Sequence, residues 1–283
     1  MNFFEITKQY ITSEISIIDA ALSLAGLVLL CIWAVKTSFG RKALADSQPR
    51  PNSMPPYLPL IPMFIWYGGV MSATSIKDSL LGDLPSWQST FLDSSLLCIG
   101  AIVAMAVTIY LAKTHFAQQL KGFGLNVKTI HKDFFAAIVN LVSVWPILMV
   151  TVVLTTLIGK VIWGADFRLA QHQELESLAT YSQWSIRLLI IITAVIIVPA
   201  FEEMLFRGMF QTMIRSILVK PWASIAICSA FFAVLHANAG HWPTLFFFSM
   251  CLGYAYEKSG SLFRSIFIHS LFNTISIIAT LSQ

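Results

Sequence analysis

The residues of this chain best suited to chemistry are two adjacent glutamates, Glu202 and Glu203, followed by Arg207. They continue the apolar run LLIIITAVIIV, and hydrophobic residues go on as far as Arg215. At 1.5 Å per residue along a helix, Glu202 lies roughly 22 Å from Arg187 and roughly 20 Å from Arg215, so we expect it near mid-membrane. A charge at that depth costs about 2.5 to 3.5 kcal/mol on insertion scales, and such charges are usually functional.

The spacing of these three residues predicts an ion pair. Glu203 and Arg207 are four residues apart on one helix face, whereas Glu202 lies about 100° round the helix. Arginine can therefore neutralise Glu203 and leave Glu202 available as a base. A helix that simply ended at Glu203 would also explain the charges, but the hydrophobic residues that follow argue against it.

Two further apolar segments carry polar residues that could reach the same depth. His236 closes one segment, four residues after Phe232, and lies roughly 24 Å from Lys220. His269 and Asn273 are i,i+4 partners on one face of the last segment. A lone histidine on an apolar helix is more often a packing residue, but this combination predicts that the side chains meet the glutamates.

These residue types suit hydrolysis by an activated water molecule. A partly desolvated carboxylate is a stronger base, so Glu202 can remove a proton from water. His236 can position that water or shuttle its proton, and Asn273 can donate a hydrogen bond to a tetrahedral oxyanion. No serine or cysteine stands at a nucleophile spacing with histidine, which argues against a covalent route.

A metal-assisted route stays open at this stage. Glu202, His236 and His269 could supply the carboxylate and the two imidazoles that zinc binds in catalytic sites, where it acidifies bound water. The chain has no HExxH sequence, however, so the spacing does not demand zinc. We expect that zinc is not obligatory, and that these three residues are its ligands if it binds.

The elements that carry these residues are predicted to be membrane-spanning helices. The chain has 283 residues, of which 57% are hydrophobic and 11% charged, and its mean hydropathy is +0.74. It is therefore too apolar for an ordinary soluble domain, and runs of roughly 20 apolar residues mark its spanning helices. Eight runs are candidates, the seventh being the weakest: Ile17 to Val35, Tyr57 to Thr74, Phe91 to Ala112, Phe134 to Gly159, and four that begin near Ile186, Pro221, Thr244 and Ser265.

The predicted fold is an all-α polytopic membrane protein with about eight transmembrane helices and a catalytic cavity formed by the C-terminal helices. Residues 1–185 are an N-terminal membrane region with about four of the helices, and residues 186–283 are the core that carries the polar cluster. The four cysteines are isolated within apolar runs, so we expect neither a disulfide framework nor a cysteine metal site.

Lysine and arginine positions predict the orientation in the membrane. If the amino terminus faces outward, 12 of the 18 basic residues fall at cytoplasmic ends or loops. These are Lys36, Arg41, Lys42, Arg50, Lys113, Lys121, Lys128, Lys132, Arg215, Lys220, Lys258 and Arg264. We therefore predict a multi-pass protein of a prokaryotic cytoplasmic membrane with both termini outside. The net charge of +4 then reflects helix anchoring in the lipid bilayer, and no nucleic-acid partner is expected.

Three ordered motifs on separate apolar segments resemble those of the CPBP family: Glu202-Glu203-x-x-x-Arg207, Phe232-x-x-x-His236 and His269-x-x-x-Asn273. This family comprises type II CAAX prenyl endopeptidases and bacteriocin-processing or immunity proteins, also described as Abi-type intramembrane proteases. The resemblance covers roughly residues 186 to 280. It implies that residues 186–283 are a CPBP-like core that cleaves peptide bonds in a polar cavity within the membrane.

The resemblance also implies a role for each motif residue. Glu202 and His236 match the groups held to activate the attacking water, while His269 and Asn273 match those proposed to stabilise the oxyanion. The positions that support and orient the site match Glu203, Arg207 and Phe232. Family members have been described both as metalloproteases and as metal-independent glutamate enzymes, so the resemblance leaves the metal open.

The sequence therefore favours an intramembrane endopeptidase that acts on a membrane-associated peptide or protein, either prenylated or bearing a leader peptide. The alternative is a non-proteolytic scaffold or immunity protein that uses the polar cluster for helix packing and partner binding. A transporter is disfavoured because the chain lacks two matching halves with Gly/Pro-interrupted segments.

Overall fold

The structure is a computed structural model, and it describes residues 17–170, 173–218, 220–236 and 238–282. The described residues are helical, apart from loops and one isolated β-bridge between Asn52 and Phe116. The helices are α1 (Ile17–Lys36), α2 (Leu60–Leu81), α3 (Ser86–His115), α4 (Gln119–Phe123), α5 (Ile130–Trp163), α6 (Gln173–Thr180), α7 (Trp184–Leu218), α8 (Pro221–Leu235), α9 (Trp242–Ser259) and α10 (Leu262–Leu281). The predicted all-α fold class is confirmed.

Five of the helices are long and apolar enough to cross a membrane. They are α1, α3, α5 with its preceding turn, α7 and α10. Each of the other three predicted segments also forms a helix, but α8 is shorter, α2 contains the polar stretch SATSIKDS, and α9 ends in Glu257 and Lys258. The described residues thus support five candidate spans, and the predicted number of eight stays a prediction.

The helix that carries the paired glutamates, α7, is surrounded by other helices. It contacts α3, α8, α9 and α10. Within an 18-residue apolar stretch of α7, 44% of the residues are buried, against 6% in the corresponding stretch of α1. By contrast, α1 packs along α5 so closely that a Cβ on Gly26 would collide with the backbone oxygen of Val142. Because α7 is the more shielded of the two from lipid, it can carry charges that α1 could not.

The backbone of α7 is not regularly α-helical. It contains two π-helical stretches, Thr193–Ile197 and Met204–Gln211. Pro199 follows the first stretch, and a proline inside a helix removes a backbone donor. Such widened turns are rare and often mark functional sites. In this chain they lie on either side of the adjacent glutamates.

Basic residues that the sequence predicts on the cytoplasmic side lie together at one end of the bundle. The guanidinium of Arg50 donates to the backbone oxygen of Tyr256 at 3.2 Å, and Lys258 Nζ donates to that of Ala43 at 2.8 Å. These contacts tie the loop after α1 to the end of α9. The grouping is compatible with the predicted alternation of the helices, and the outward direction of both termini stays a prediction.

Candidate active site

A cavity of about 580 Å³ lies beside the middle of α7. Four residues predicted to do chemistry line it, namely Glu202, His236, His269 and Asn273, together with the supporting residue Phe232. The structure therefore brings the residues of all three motifs to one place. Further polar residues on its wall are Tyr67, Ser94, Glu174, Thr193, His241, Thr244 and Ser276.

The predicted ion pair within α7 is present and wholly buried. Arg207 Nη1 donates to Glu203 Oε1 at 3.0 Å, and both residues have zero exposure. Arg207 Nη2 also donates to the Ser249 hydroxyl at 2.7 Å and to the Ser249 backbone oxygen at 3.2 Å. The ring of Phe232 lies 4.8 Å from the guanidinium carbon, close enough for a cation–π contact. Buried charges are tolerated when they are paired and hydrogen-bonded in this way.

His269 lies between the two glutamates. Its Nδ1 is 3.0 Å from Glu203 Oε1, and because a carboxylate only accepts, Nδ1 is the donor. Its Nε2 is 3.8 Å from Glu202 Oε2, within electrostatic range but too far for a hydrogen bond. Glu203 therefore fixes the orientation of the imidazole, so that Nε2 points towards Glu202.

The two adjacent acids have different surroundings, as the helical spacing predicts. Glu203 contacts Arg207 and His269 and does not line the cavity, whereas Glu202 does. Both are buried. The acid available to a bound molecule is therefore Glu202, and Glu203 serves to hold two cationic or hydrogen-bonding side chains in place.

His236 lies just beyond the last residue of α8, which explains its spacing from Phe232. The backbone oxygens of a final helical turn lack helical donors, and that of Phe232 lies 2.8 Å from His236 Nδ1. Since the oxygen accepts, Nδ1 carries the proton, and Nε2 of the neutral ring is a base or acceptor. No hydrogen bond joins His236 to Glu202, although both line the cavity.

Asn273 is held by an irregularity of α7. In the first π-helical stretch the Val198 N–H bonds the oxygen of Thr193, five residues earlier. The next donor in that pattern would be Pro199, which has no N–H, so the oxygen of Ala194 is left open. Asn273 Nδ2 donates to it at 2.7 Å. One N–H of the amide is thus committed to the scaffold, and a second remains for other contacts.

The three predicted zinc ligands do not form a metal-binding group. Among the described residues, no set of three or more His, Cys, Asp or Glu side chains is arranged to hold a metal ion. Glu202 and His269 approach each other to 3.8 Å, but His236 does not complete a set with them. Resident zinc therefore does not fit the arrangement of these side chains, and a metalloprotease assignment has no support.

The sequence analysis did not predict two contributors to the site. Ser249, whose hydroxyl accepts a hydrogen bond from Arg207, is a single small polar residue in the apolar run TLFFFSM. Tyr67 lines the cavity from α2, and from the sequence alone an aromatic residue near a helix end indicates a membrane anchor. A small polar residue within an apolar helix is the signal that would have found Ser249.

Residues 183–275 match the family described as Type II CAAX prenyl endopeptidase Rce1-like. The matched segment runs from the start of α7 into α10 and contains all three motifs. No curated protein and no solved structure matches the chain.

Proposed function

We propose that this chain, whose residues 183–275 match the type II CAAX prenyl endopeptidase Rce1-like family, is an intramembrane endopeptidase of the CPBP type that cleaves membrane-associated substrates. The observation that carries the proposal is the placement of Glu202, His236, His269 and Asn273 around one cavity among apolar helices. The match to type II CAAX prenyl endopeptidases favours a substrate of the CAAX class, with leader peptides as the second class to test.

Glu202 is proposed as the general base. A water molecule between its carboxylate and His236 Nε2 has two acceptors for its protons. Glu202 takes one proton as the water oxygen attacks the peptide carbonyl, and it returns that proton to the amine that leaves. His236 keeps the water oriented because its own Nδ1 proton is held by the Phe232 backbone oxygen.

His269 and Asn273 are proposed to stabilise the oxyanion of the tetrahedral intermediate. Glu203 accepts from His269 Nδ1 and so holds the ring with Nε2 towards Glu202; Nε2 is a second donor when the imidazole carries both protons. The second N–H of Asn273 can supply another hydrogen bond. Loss of one such donor lowers kcat by about 10² to 10³ in other hydrolases.

We also propose that catalysis needs no zinc, because the three candidate ligands do not form a ligand group. Every step above uses side chains of this chain alone. Cleavage in the presence of 1,10-phenanthroline tests the point directly: unchanged turnover supports a glutamate mechanism, and loss of turnover that added zinc restores contradicts it.

The test of the function is cleavage by the purified, detergent-solubilised full chain of a fluorogenic peptide library with prenylated and unprenylated members. Glu202→Gln should lower turnover by at least about 10²-fold, and His236→Ala should lower it strongly as well. Glu176→Gln is the matched control, since this exposed residue of α6 is not on the cavity wall. It should cleave like the wild type.

Two results would contradict the proposal. Turnover by Glu202→Gln equal to that of the wild type would show that Glu202 is not the general base. Failure of the folded wild type to cleave any member of the library would favour the scaffold or immunity protein, which uses the same cluster for packing and partner binding.

A further inference from the structure

Two helices outside the family match, α2 and α3, form one wall of the cavity at the candidate active site. Trp66 and Tyr67 of α2 and Ser94 and Leu97 of α3 line it, whereas the match begins at residue 183. The two helices pack along each other. This pair of helices therefore contributes to the cavity as a unit, although none of its residues belongs to the three motifs.

Trp66 fixes the position of this wall beside the proposed general base. The residue is 5% exposed, and its ring meets the ring of Phe201 edge-on, with 4.9 Å between the centroids. Phe201 is completely buried and directly precedes Glu202 in the chain. The ring of Tyr67 lies 4.6 Å from that of Trp66, and Tyr67 is close enough to Glu202 for an electrostatic interaction. Aromatic packing thus places a phenol near the carboxylate.

The hydroxyl of Tyr67 is uncommitted. It has no hydrogen-bond partner among the described residues, and it is not sealed away from the cavity. Other hydroxyls on the cavity wall are engaged: that of Thr244 bonds the hydroxyl of Thr151, and that of Ser276 donates to a backbone oxygen of its own helix. Tyr67 therefore presents a free polar group on a side chain that is otherwise packed among apolar residues.

A peptide bound over Glu202 would bring polar backbone groups into a largely apolar cavity. Most of the described wall residues are hydrophobic, and none of them is lysine or arginine. A backbone N–H or C=O that loses water without gaining a partner costs about 1 to 3 kcal/mol. His269 and Asn273 are proposed to serve the reacting carbonyl, so the neighbouring backbone groups need other partners. A tyrosine hydroxyl both donates and accepts, and it can therefore pair with either kind of group.

We propose that Tyr67 is a substrate-binding residue, whose hydroxyl bonds a backbone group of the peptide next to the scissile bond. This inference rests on the proposed function, and it extends the site to a helix outside the family match. The bond is the same in the ground state and in the transition state, so it contributes to KM and not to kcat. In the free protein the hydroxyl has no partner, so its removal does not cost stability.

The first test uses the full chain in a neutral detergent and the peptide library described above. Tyr67→Phe removes only the hydroxyl, and it should raise KM about 3- to 10-fold while kcat stays within about twofold of the wild type. Tyr110→Phe is the matched control, because this residue of α3 is 67% exposed and is not on the cavity wall. It loses the same hydroxyl and should leave both constants unchanged. Thermal unfolding of both variants should match that of the wild type.

A binding measurement separates this proposal from the proposed function. Glu202→Gln and the double variant Glu202→Gln/Tyr67→Phe are titrated into fluorescein-labelled library members, prenylated and unprenylated, and fluorescence anisotropy gives the Kd. The double variant should bind about 3- to 10-fold more weakly, whether or not the wild type cleaves the peptide. Weaker binding by the double variant without any cleavage by the wild type would contradict the endopeptidase and support the Tyr67 contact.

Four results would overturn the proposal. They are equal Kd values for Glu202→Gln and the double variant, a loss in Tyr67→Phe that is confined to kcat, a lowered thermal stability of Tyr67→Phe, and binding of no library member. Cleavage that Glu202→Gln abolishes and Tyr67→Phe leaves unchanged in both constants would also refute the Tyr67 contact, while the endopeptidase would stand.

Discussion

At the scale of single residues, two neighbours in the chain have opposite tasks. Glu203 is enclosed by Arg207 and His269, while Glu202 lies on the cavity wall. Two carboxylates with unlike surroundings are the usual way for one site to keep one acid ionised and structural and to leave the other for proton transfer. The turn of the helix between adjacent residues is sufficient to produce this difference.

The buried ion pair predicts a large effect on stability when one partner is removed. Arg207→Met leaves the Glu203 carboxylate buried without its cation, and should lower the free energy of unfolding by about 3 to 5 kcal/mol. The double change Glu203→Gln/Arg207→Met removes both charges and should cost less than the sum of the single changes. The free energy of unfolding of Arg207→Met, Glu203→Gln and the double variant can be measured in mixed detergent micelles.

The exposed partner of another ion pair is the control for this experiment: the Asp78 side chain is 64% exposed and lies 3.0 Å from Lys77 Nζ, which also donates to Asp93. Asp78→Asn should change the free energy of unfolding by about 0 to 1 kcal/mol, because water screens an exposed pair and Lys77 keeps Asp93 as its partner. A loss on Arg207→Met no greater than that of Asp78→Asn would mean that the pair within α7 does not hold the site.

These residues also show what sequence reasoning can reach. The pair Glu203 and Arg207 is predictable because four residues along a helix define a local distance. Ser249, the other partner of Arg207, is 42 residues away in the chain. Its contact depends on how α9 packs against α7, and that packing is decided by the whole set of helices and by no local spacing.

At the scale of elements, the irregular helix α7 determines the position of α10. Pro199 removes the donor that the Ala194 oxygen would have, and Asn273 replaces it from the neighbouring helix. Regular helical spacing predicts the depth of Asn273 but neither the π-helical stretch nor this bond. The amide therefore has a structural task beside the catalytic one proposed for it.

A double-variant cycle separates the two tasks of Asn273. Asn273→Ala leaves the Ala194 oxygen without its donor and should destabilise the protein by about 1 to 3 kcal/mol. Pro199→Ala supplies a backbone N–H that can bond this oxygen, so the combined variant should regain part of that stability. Its turnover should stay about 10² to 10³ lower than that of the wild type, because the second N–H of Asn273 is still missing.

The free energy of unfolding and the rate of peptide cleavage are measured on the same preparations of the single and combined variants. Recovery of both stability and turnover in the combined variant would show that Asn273 is structural only. Recovery of neither would show that Pro199 does not leave the Ala194 oxygen open.

At the scale of the whole molecule, composition predicts the class of protein better than the number of spans. The helix α8 has 15 residues, roughly 22 Å of length, against a hydrocarbon core of about 30 Å. It packs against α9 and α7, so much of its apolar surface faces protein and not lipid. A hydropathy count cannot separate these two surroundings. Of the eight apolar segments, five pass as candidate spans by length and composition, because α8 is short, α2 contains a polar stretch and α9 ends in charged residues.

Orientation in the membrane is the last property that the charges predict. Asp83 and Lys121 are exposed, and α3, with 30 residues, separates them. Since lysine and arginine are enriched on the cytoplasmic side, Lys121 should lie inside and Asp83 outside. In intact bacterial cells, Asp83→Cys should therefore react with a membrane-impermeant maleimide, and Lys121→Cys should react only after permeabilisation. The wild type gives the background from Cys31, Cys98, Cys228 and Cys251. The reverse pattern would invert the predicted orientation, and labelling of both variants in intact cells would mean that α3 does not cross the membrane.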